Sequence, residues 1–544
     1  MNSTPSQSSD FFGKLKLGFQ AFQRTMRNPT ICVLTAWAVA TMLAFLLTAV
    51  QGAPAPTVHD EFAYLLGADT LASGRITNPT HPMWQHFESF HIIQQPSYIC
   101  KYPPAQALTL AVGQWLGHPI IGACLATGIA TAALVWMLVS WLPRRYFWIV
   151  CLFAVFHPEI QIQWGQSYWG GAVALCGGSL LIGALGRLTE KMEIRLAVIA
   201  GLGIVLMANS RPFEGAVLSA TVGAVLIWKL LRTKTWSPVR FAARVVLPAA
   251  IVVGFGAAQI TYCNRAITGD ALTMPYQVHE KTYGWNPLFV WKKAGEKPAY
   301  RHPMMQRFYE LDKANNDLKF GSATDLLTVK AGVASKILKF FCGGTILIAL
   351  LGLPLLLRRP RYRLALLLVI PGLVASLSTF WGWPHYSAPV APLIILTFFA
   401  CMIEIWRYTQ KHQKYRKLLL VSIPVFHILW WATLFIASAD SQRNSWGRHR
   451  VAIQKQLHAQ KGSDLVLVRY SQQHNPHNEW VYNAADIDSA PIVWAREISS
   501  QRRKELLDYF NDRTVWIVDA DEELPQLKPF VAEYDLAQQQ PASQ

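Results

Sequence analysis

Long runs without charge set the first limit on what this chain can fold into. A helix needs about 20 mostly apolar residues to cross the hydrocarbon of a bilayer. Windows that meet or approach this length lie at 31–50, 119–142, 170–186, 245–263, 340–357, 364–384, 386–403 and 418–439, with weaker ones at 146–160, 196–210 and 213–231. With 52% hydrophobic and 15% charged residues, the 544-residue chain is too apolar for an ordinary soluble protein. The expectation is an α-helical polytopic membrane protein of about eleven spans. The first apolar segment is long for a signal-peptide core and follows about thirty mostly polar residues, so it reads as a span.

Lys and Arg in short loops orient the spans. Lys14, Lys16, Arg24 and Arg27 precede the first span and place the N-terminus inside. Alternation then assigns Arg144–Arg145, Arg187–Arg195, Lys229–Arg244, Arg358–Arg363 and Arg407–Lys417 to the cytoplasm, and each of these loops is rich in Lys and Arg. An odd number of spans leaves the C-terminus outside. The net charge of +18 reflects these anchors in large part and does not call for nucleic acid as a partner.

The expected organisation is a cytoplasmic segment 1–30, a membrane body 31–439 with outer loops at 51–118 and 264–338, and an outer domain 440–544. In that last part "DLVLVRY" (464–470), "PIVWA" (491–495) and "TVWIVDA" (514–520) read as strands, while 448–460 and 499–513 read as helices. This predicts a small α/β domain without a Gly-rich phosphate loop, followed by a polar tail, "QQQPASQ" (538–544), with the composition of disorder. Six of the eight cysteines fall in apolar segments and read as small buried hydrophobes. Cys100 and Cys263 fall near the outer face, and spacing alone neither pairs nor separates them.

With this orientation, the unusual polar residues beside span ends collect mostly on the outer side. They are Asp60 and Glu61, Lys101 in "CKYPP", "QSYWGG" (166–171) with Tyr168, "SRPFEG" (210–215) with Arg211 and Glu214, and "WGWPHYSAP" (381–389) with His385 and Tyr386. The inner loops are short, basic and plain. Lys101 and Arg211 both stand just ahead of proline, which is favoured in the first turn of a helix. A cation there does nothing for the helix dipole, but together with free N–H groups it makes a site for an anion such as phosphate. The bland alternative for both is an anchor reaching toward lipid head groups. Trp164, Tyr168, Trp169, Trp381, Trp383 and Tyr386 are either an interfacial aromatic belt or platforms for sugar rings. His81, His86 and His91 recur at five-residue spacing, which does not bring them onto one helix face as a metal trio.

"TVHDEFAYLLGADTLASGR" (57–75) has the Ser/Thr-x-x-Asp/Glu form of a capping box at Thr57 and Asp60, followed by helical spacing and Gly74 as a stop. Successive helical residues point about 100° apart, so one of the two acids can cap while the other faces a cavity. This Asp-Glu pair, in the first outer loop of a many-span body with an outer C-terminal domain, resembles the GT-C glycosyltransferase superfamily. The likeness is to its family-39-like group of protein O-mannosyltransferases and lipid A aminoarabinose transferases. It is sharp over "HDEFAYL" and covers 31–440 as topology.

The resemblance implies that Asp60 is the base and that the donor is a sugar on a polyprenyl phosphate carrier. Transfer would be inverting, with Lys101 and Arg211 receiving the leaving phosphate. Beside the resemblance, Tyr168, Glu214, His385 and Tyr386 are further candidates for the substrate site by their place at the span ends, with His385 equally open to a structural reading. Glu61 would either position Asp60 or hold a divalent cation with it. The acceptor implied is a glycan, lipid or protein of the cell envelope, and the location a bacterial inner membrane with the site on the periplasmic face. Two rivals from other classes are a transporter or flippase of a lipid-linked or anionic substrate, and a non-catalytic assembly or sensor protein. Transporters place ionisable residues near the bilayer midplane, where these windows carry few.

Overall fold

The computed structural model describes residues 7–232, 236–460 and 462–530; the tail 538–544 and Lys234 of a loop assigned to the cytoplasm lie outside them. Helix α1 (Gln7–Thr25) leads to Asn28, whose side chain accepts the Thr30 N–H at 2.9 Å and caps α2 (Pro29–Gln51). Helix α2 buries a stripe of small residues at four-residue spacing, Cys32, Ala36, Ala40 and Ala44. Small side chains let helix backbones approach closely inside a membrane, where no hydrophobic force drives helices together.

Two short helices follow, α3 (His59–Ala72) and α4 (Ala105–Trp115), and the body continues with α5 (Pro119–Trp141), α6 (Phe147–Val155), α7 (Ala172–Leu188), α8 (Ile194–Ala208) and α9 (Pro212–Arg232). Among the described residues six helices are long and apolar enough to cross a membrane: α2, α5, α9, Pro238–Thr268, Ala391–Lys411 and Gln413–Asn444. Shorter apolar helices occupy Ala172–Leu188, Ile194–Ala208 and Tyr362–Ser378. Two expected windows are interrupted. That at 146–160 holds only α6 before the chain turns at Pro158 into a π-helical segment, Glu159–Trp164. That at 340–357 is cut into the end of Ala323–Cys342 and the short pieces Ile346–Leu350 and Leu353–Leu356, the first break falling at Gly343 with φ +65°. Glycine takes such a φ without steric penalty.

The segment between α3 and α4 wraps a three-stranded antiparallel sheet. Its strands are β1 (Asn78–Pro79), β2 (Ile92–Ile93) and β3 (Ser97–Cys100), in the order β1-β3-β2. Helix α3 packs tightly on α4: a Cβ on Gly67 would stand 2.9 Å from that of Ala107 and 3.1 Å from Cys100 Sγ. Cys100 is a buried free thiol and Cys263 a half-buried one, so they form no disulfide.

Beyond the last long helix, Trp446–Ala459 leads into strands β4 (Asp464–Arg469), β5 (Ile492–Arg496), β6 (Thr514–Asp519) and β7 (Lys528–Pro529), with helix Ser500–Tyr509 between β5 and β6. The order is β5-β4-β6-β7, the first three parallel and β7 antiparallel. The central strand β4 is buried from Asp464 to Val468, as a strand covered on both faces requires.

Helix α3 lies between the two bodies. Tyr64 and Ala68 join a cluster with Ala44, Ala107, Leu110 and Cys124 of the membrane body. Phe62, Ala63 and Leu66 join Leu465, Leu467, Tyr482 and Val493 of the α/β domain, with Phe62 stacked on Tyr482 at 4.1 Å. Labelling of cysteines at the exposed positions Ser73, Leu272 and Thr514 should therefore occur from the outer side. Cysteines at Arg145 and Lys414 should react only after the membrane is permeabilised. Reaction of a Thr514 cysteine from the inner side alone would invert this orientation.

Candidate active site

The two acids at the start of α3 have different fates. Glu61 is buried, with 4% of its surface exposed. Its Oε2 accepts the backbone N–H groups of Thr57 (2.8 Å) and Val58 (3.3 Å), and its Oε1 that of Tyr168 (3.1 Å). Burial pushes its pKa up, against three N–H bonds that favour the carboxylate. The capping expected of Thr57 and Asp60 is thus made by Glu61, three residues after Val58, because the helix begins at His59. Both Glu61 oxygens accept backbone N–H groups, two on Oε2 and one on Oε1. Among the described residues, no group of three or more His, Cys, Asp or Glu side chains is arranged to hold a metal ion.

Asp60 points the other way and its side chain is 25% exposed. Its Oδ1 accepts the Tyr102 hydroxyl and stands 3.5 Å from His91 Nε2. Tyr102 stacks on Tyr64 with ring centroids 4.9 Å apart. Burial, with the Asp60 charge adding to it, holds the Tyr102 phenol well above its ordinary pKa, so it stays a donor.

The two cations come to one region, with Tyr102 beside Lys101 and within reach of the Arg211 charge, because two helix starts meet. The Ala105 N–H, first in α4, donates to the Asn209 carbonyl at 3.0 Å, just ahead of Arg211 and α9. Lys101 is buried, lies over the rings of Tyr276 (5.0 Å) and Tyr102 (5.4 Å), and pairs with Glu280 at 3.7 Å. Burial lowers its pKa, with Glu280 and Asp60 opposing. The Arg211 guanidinium sits 4.2 Å over the Tyr386 ring. Burial opposes its charge, but Tyr64, Tyr386 and Glu214 outweigh that and raise its pKa. Tyr386 feels both Arg211 and Asp60.

The structure therefore gathers Asp60, Lys101, Arg211, Glu214, His385 and Tyr386 around one spot, and sets Glu61 and Tyr168 behind it. His385 is buried against Trp169 (4.9 Å) and Tyr386 (4.5 Å); burial and then Arg211 keep its pKa well below the ordinary histidine value, so it is neutral. Tyr168 donates its hydroxyl to the Pro54 carbonyl at 3.0 Å and props the loop ahead of α3. His81 and His86 go elsewhere, to Asp488 (2.9 Å) and the Arg496 carbonyl (2.8 Å).

Residues that sequence reasoning missed are Tyr64, Tyr102, Tyr276, Glu280 and His91. Tyr102 was within reach, since it follows Lys101 in "CKYPP". Tyr276 and Glu280 lie on helix Pro275–Tyr283, and only the fold brings them to Lys101.

No family model matches the chain, and no curated protein matches it. Among solved structures it is similar to the archaeal oligosaccharyltransferase AglB from Archaeoglobus fulgidus in complex with an inhibitory peptide and a dolichol-phosphate. Identity is 10%, the match covers 90% of this chain and 69% of that one, and the TM-score is 0.47. The apo form of the Archaeoglobus fulgidus oligosaccharyltransferase gives the same values. The form tethered to an acceptor peptide is 11% identical, with the same coverage and TM-score.

A stability measurement separates the two acids. Glu61→Ala leaves three backbone donors short of an acceptor and should lose about 3 kcal/mol, since an unmade buried hydrogen bond costs about 1–3 kcal/mol. Asp60→Ala should leave the unfolding midpoint in detergent nearly unchanged. Equal midpoints for both variants would contradict the division of roles.

Proposed function

We propose that the protein is a membrane glycosyltransferase that moves a sugar from a polyprenyl-phosphate-linked donor to an acceptor hydroxyl with inversion, using Asp60 as base. The reading rests on one observation: an accessible carboxylate shares its surroundings with two cations whose partners are loose or aromatic. A carboxylate can take a proton from an attacking hydroxyl. Lys101 and Arg211 can receive a phosphate that departs as an anion.

In the proposed step Asp60 removes the acceptor O–H proton as the oxygen forms a bond to the anomeric carbon. The bond from that carbon to the carrier phosphate oxygen breaks on the opposite face, and its electron pair leaves with the phosphate. No acid is needed for a leaving group stabilised by cations. Glu61 acts at a distance by holding Thr57, Val58 and Tyr168, and so the first turn that carries Asp60. The acceptor belongs to the outer face in this reading, a hydroxyl-bearing glycan, lipid or protein.

Transfer from a polyprenyl-phosphate donor in detergent tests the base. Asp60→Asn should lower turnover about 100- to 10,000-fold, the usual contribution of a positioned base, with the unfolding midpoint kept. A folded Asp60→Asn protein with near-normal transfer would remove Asp60 from the chemistry.

Carrier binding tests the cations. Arg211→Ala should weaken retention of polyprenyl phosphate, and Arg211→Lys should recover part, because a point charge lacks the planar fork. Lys101 holds an anion only while protonated and its pKa is depressed. Carrier affinity should therefore fall as pH rises toward the alkaline range, at lower pH than for an exposed lysine. Lys101→Arg, which stays charged, should flatten that fall. A pH-independent affinity in the native protein would take Lys101 out of the phosphate site.

A further inference from the structure

His91 is the only non-glycine residue with a positive φ among those described, at +61°. Such a conformation is rare outside glycine, and where it persists it clusters at functional sites. Here the backbone turn does two things at once. The His91 carbonyl accepts the Lys101 N–H at 3.0 Å, and the side chain swings toward α3, with Nε2 3.5 Å from Asp60 Oδ1. The ring lies among those of His59 (5.6 Å), Tyr102 (5.7 Å) and His279 (5.9 Å). Its Nδ1 is buried without a hydrogen-bond partner. Burial, and then the neighbouring Lys101 and histidines, hold its pKa well below the ordinary value, so the ring is neutral with one N–H to give. A carboxylate oxygen only accepts, so that proton belongs on Nε2.

Resting on the transferase reading, we propose that His91 is the positioning residue of the base: with Tyr102 it clamps Asp60 through Oδ1 and leaves Oδ2 to the acceptor hydroxyl. The same residue fixes Lys101 through its carbonyl, so one left-handed turn sets the base and a phosphate cation in register. Catalytic hydrogen bonds are often long without substrate and tighten in the complex, which fits the 3.5 Å separation.

The test uses the full-length protein in detergent with two readouts. The first, independent of activity, is the rate at which a water-soluble carbodiimide modifies Asp60, located by tandem mass spectrometry. The second is transfer kinetics. His91→Leu removes the donor at similar size and should raise the Asp60 modification rate several-fold. It should also lower kcat about 10- to 100-fold with KM kept, the scale of a small misplacement of a reacting group. His91→Gln, whose amide nitrogen reaches the Nε2 position, should restore both. His91→Asn accepts the left-handed backbone but is too short to reach Asp60; it guards against misfolding and should behave like His91→Leu. Native modification rates in His91→Leu and His91→Asn would overturn the proposal, as would kcat losses that His91→Gln fails to rescue. A native protein with no transfer at all would overturn the transferase reading, while the modification rates still decide the role of His91.

Discussion

A buried carboxylate must find donors or give up its charge, and Glu61 finds three on two distant stretches of chain. That single side chain ties the exit from α2 to the start of α3 and both to the segment around Tyr168, which in turn holds the Pro54 carbonyl. The first turn of α3 has little freedom left once these bonds are made. Asp60, one residue away and about 100° round the helix, is then aimed by a neighbour whose own oxygens bind backbone N–H groups. The adjacency of the two acids thus combines an internal brace with an exposed group, and neither task can be moved one position along the chain.

The cations are arranged on a related principle. Their strongest neighbours are aromatic faces and a carboxylate held at some distance, not tight ion pairs. An aromatic face stabilises a cation without filling its hydrogen-bonding directions. Desolvation around Lys101 and Arg211 strengthens any later contact with an anion, because the effective dielectric there is low. The bond from Ala105 N–H to the Asn209 carbonyl brings both helix starts to one place. Membrane packing alone would leave that placement open.

Much of this was legible in the chain. Apolar windows mark most of the long helices, β-branched runs mark strands β4 to β6, and prolines mark the starts of α4 and α9. Asp60, Lys101 and Arg211 stood out as polar residues beside span ends. The interruptions at 146–160 and 340–357 were not legible, since hydropathy reports burial and not continuity, and Pro158 and Gly343 act through local backbone geometry. The assignment of the cap to Glu61 turned on a one-residue difference in where the helix begins. Glu280 and Tyr276 were beyond reach because their contacts with Lys101 span long sequence separations. Helix Pro275–Tyr283 carries no local sign that its acid faces a lysine 179 residues earlier; 280 minus 101 gives that separation.

The docking of the C-terminal domain on α3 has a consequence for how the molecule comes into being. His59, next to Asp60, bonds the Tyr482 hydroxyl at 2.8 Å across 423 residues of chain. Synthesis proceeds from the N-terminus, so the wall of the site nearest α3 is absent until the final domain has been made and has reached the same side. During insertion the membrane body can assemble around α2, α5 and α7 while α3 still shows Phe62 and Leu66 to water. A chain without that domain would expose an apolar strip of α3, since Phe62 and Leu66 pack on Leu465, Leu467, Tyr482 and Val493. The side of α3 that carries Phe62 and Leu66 is therefore covered only when the domain of β4 to β6 is in place.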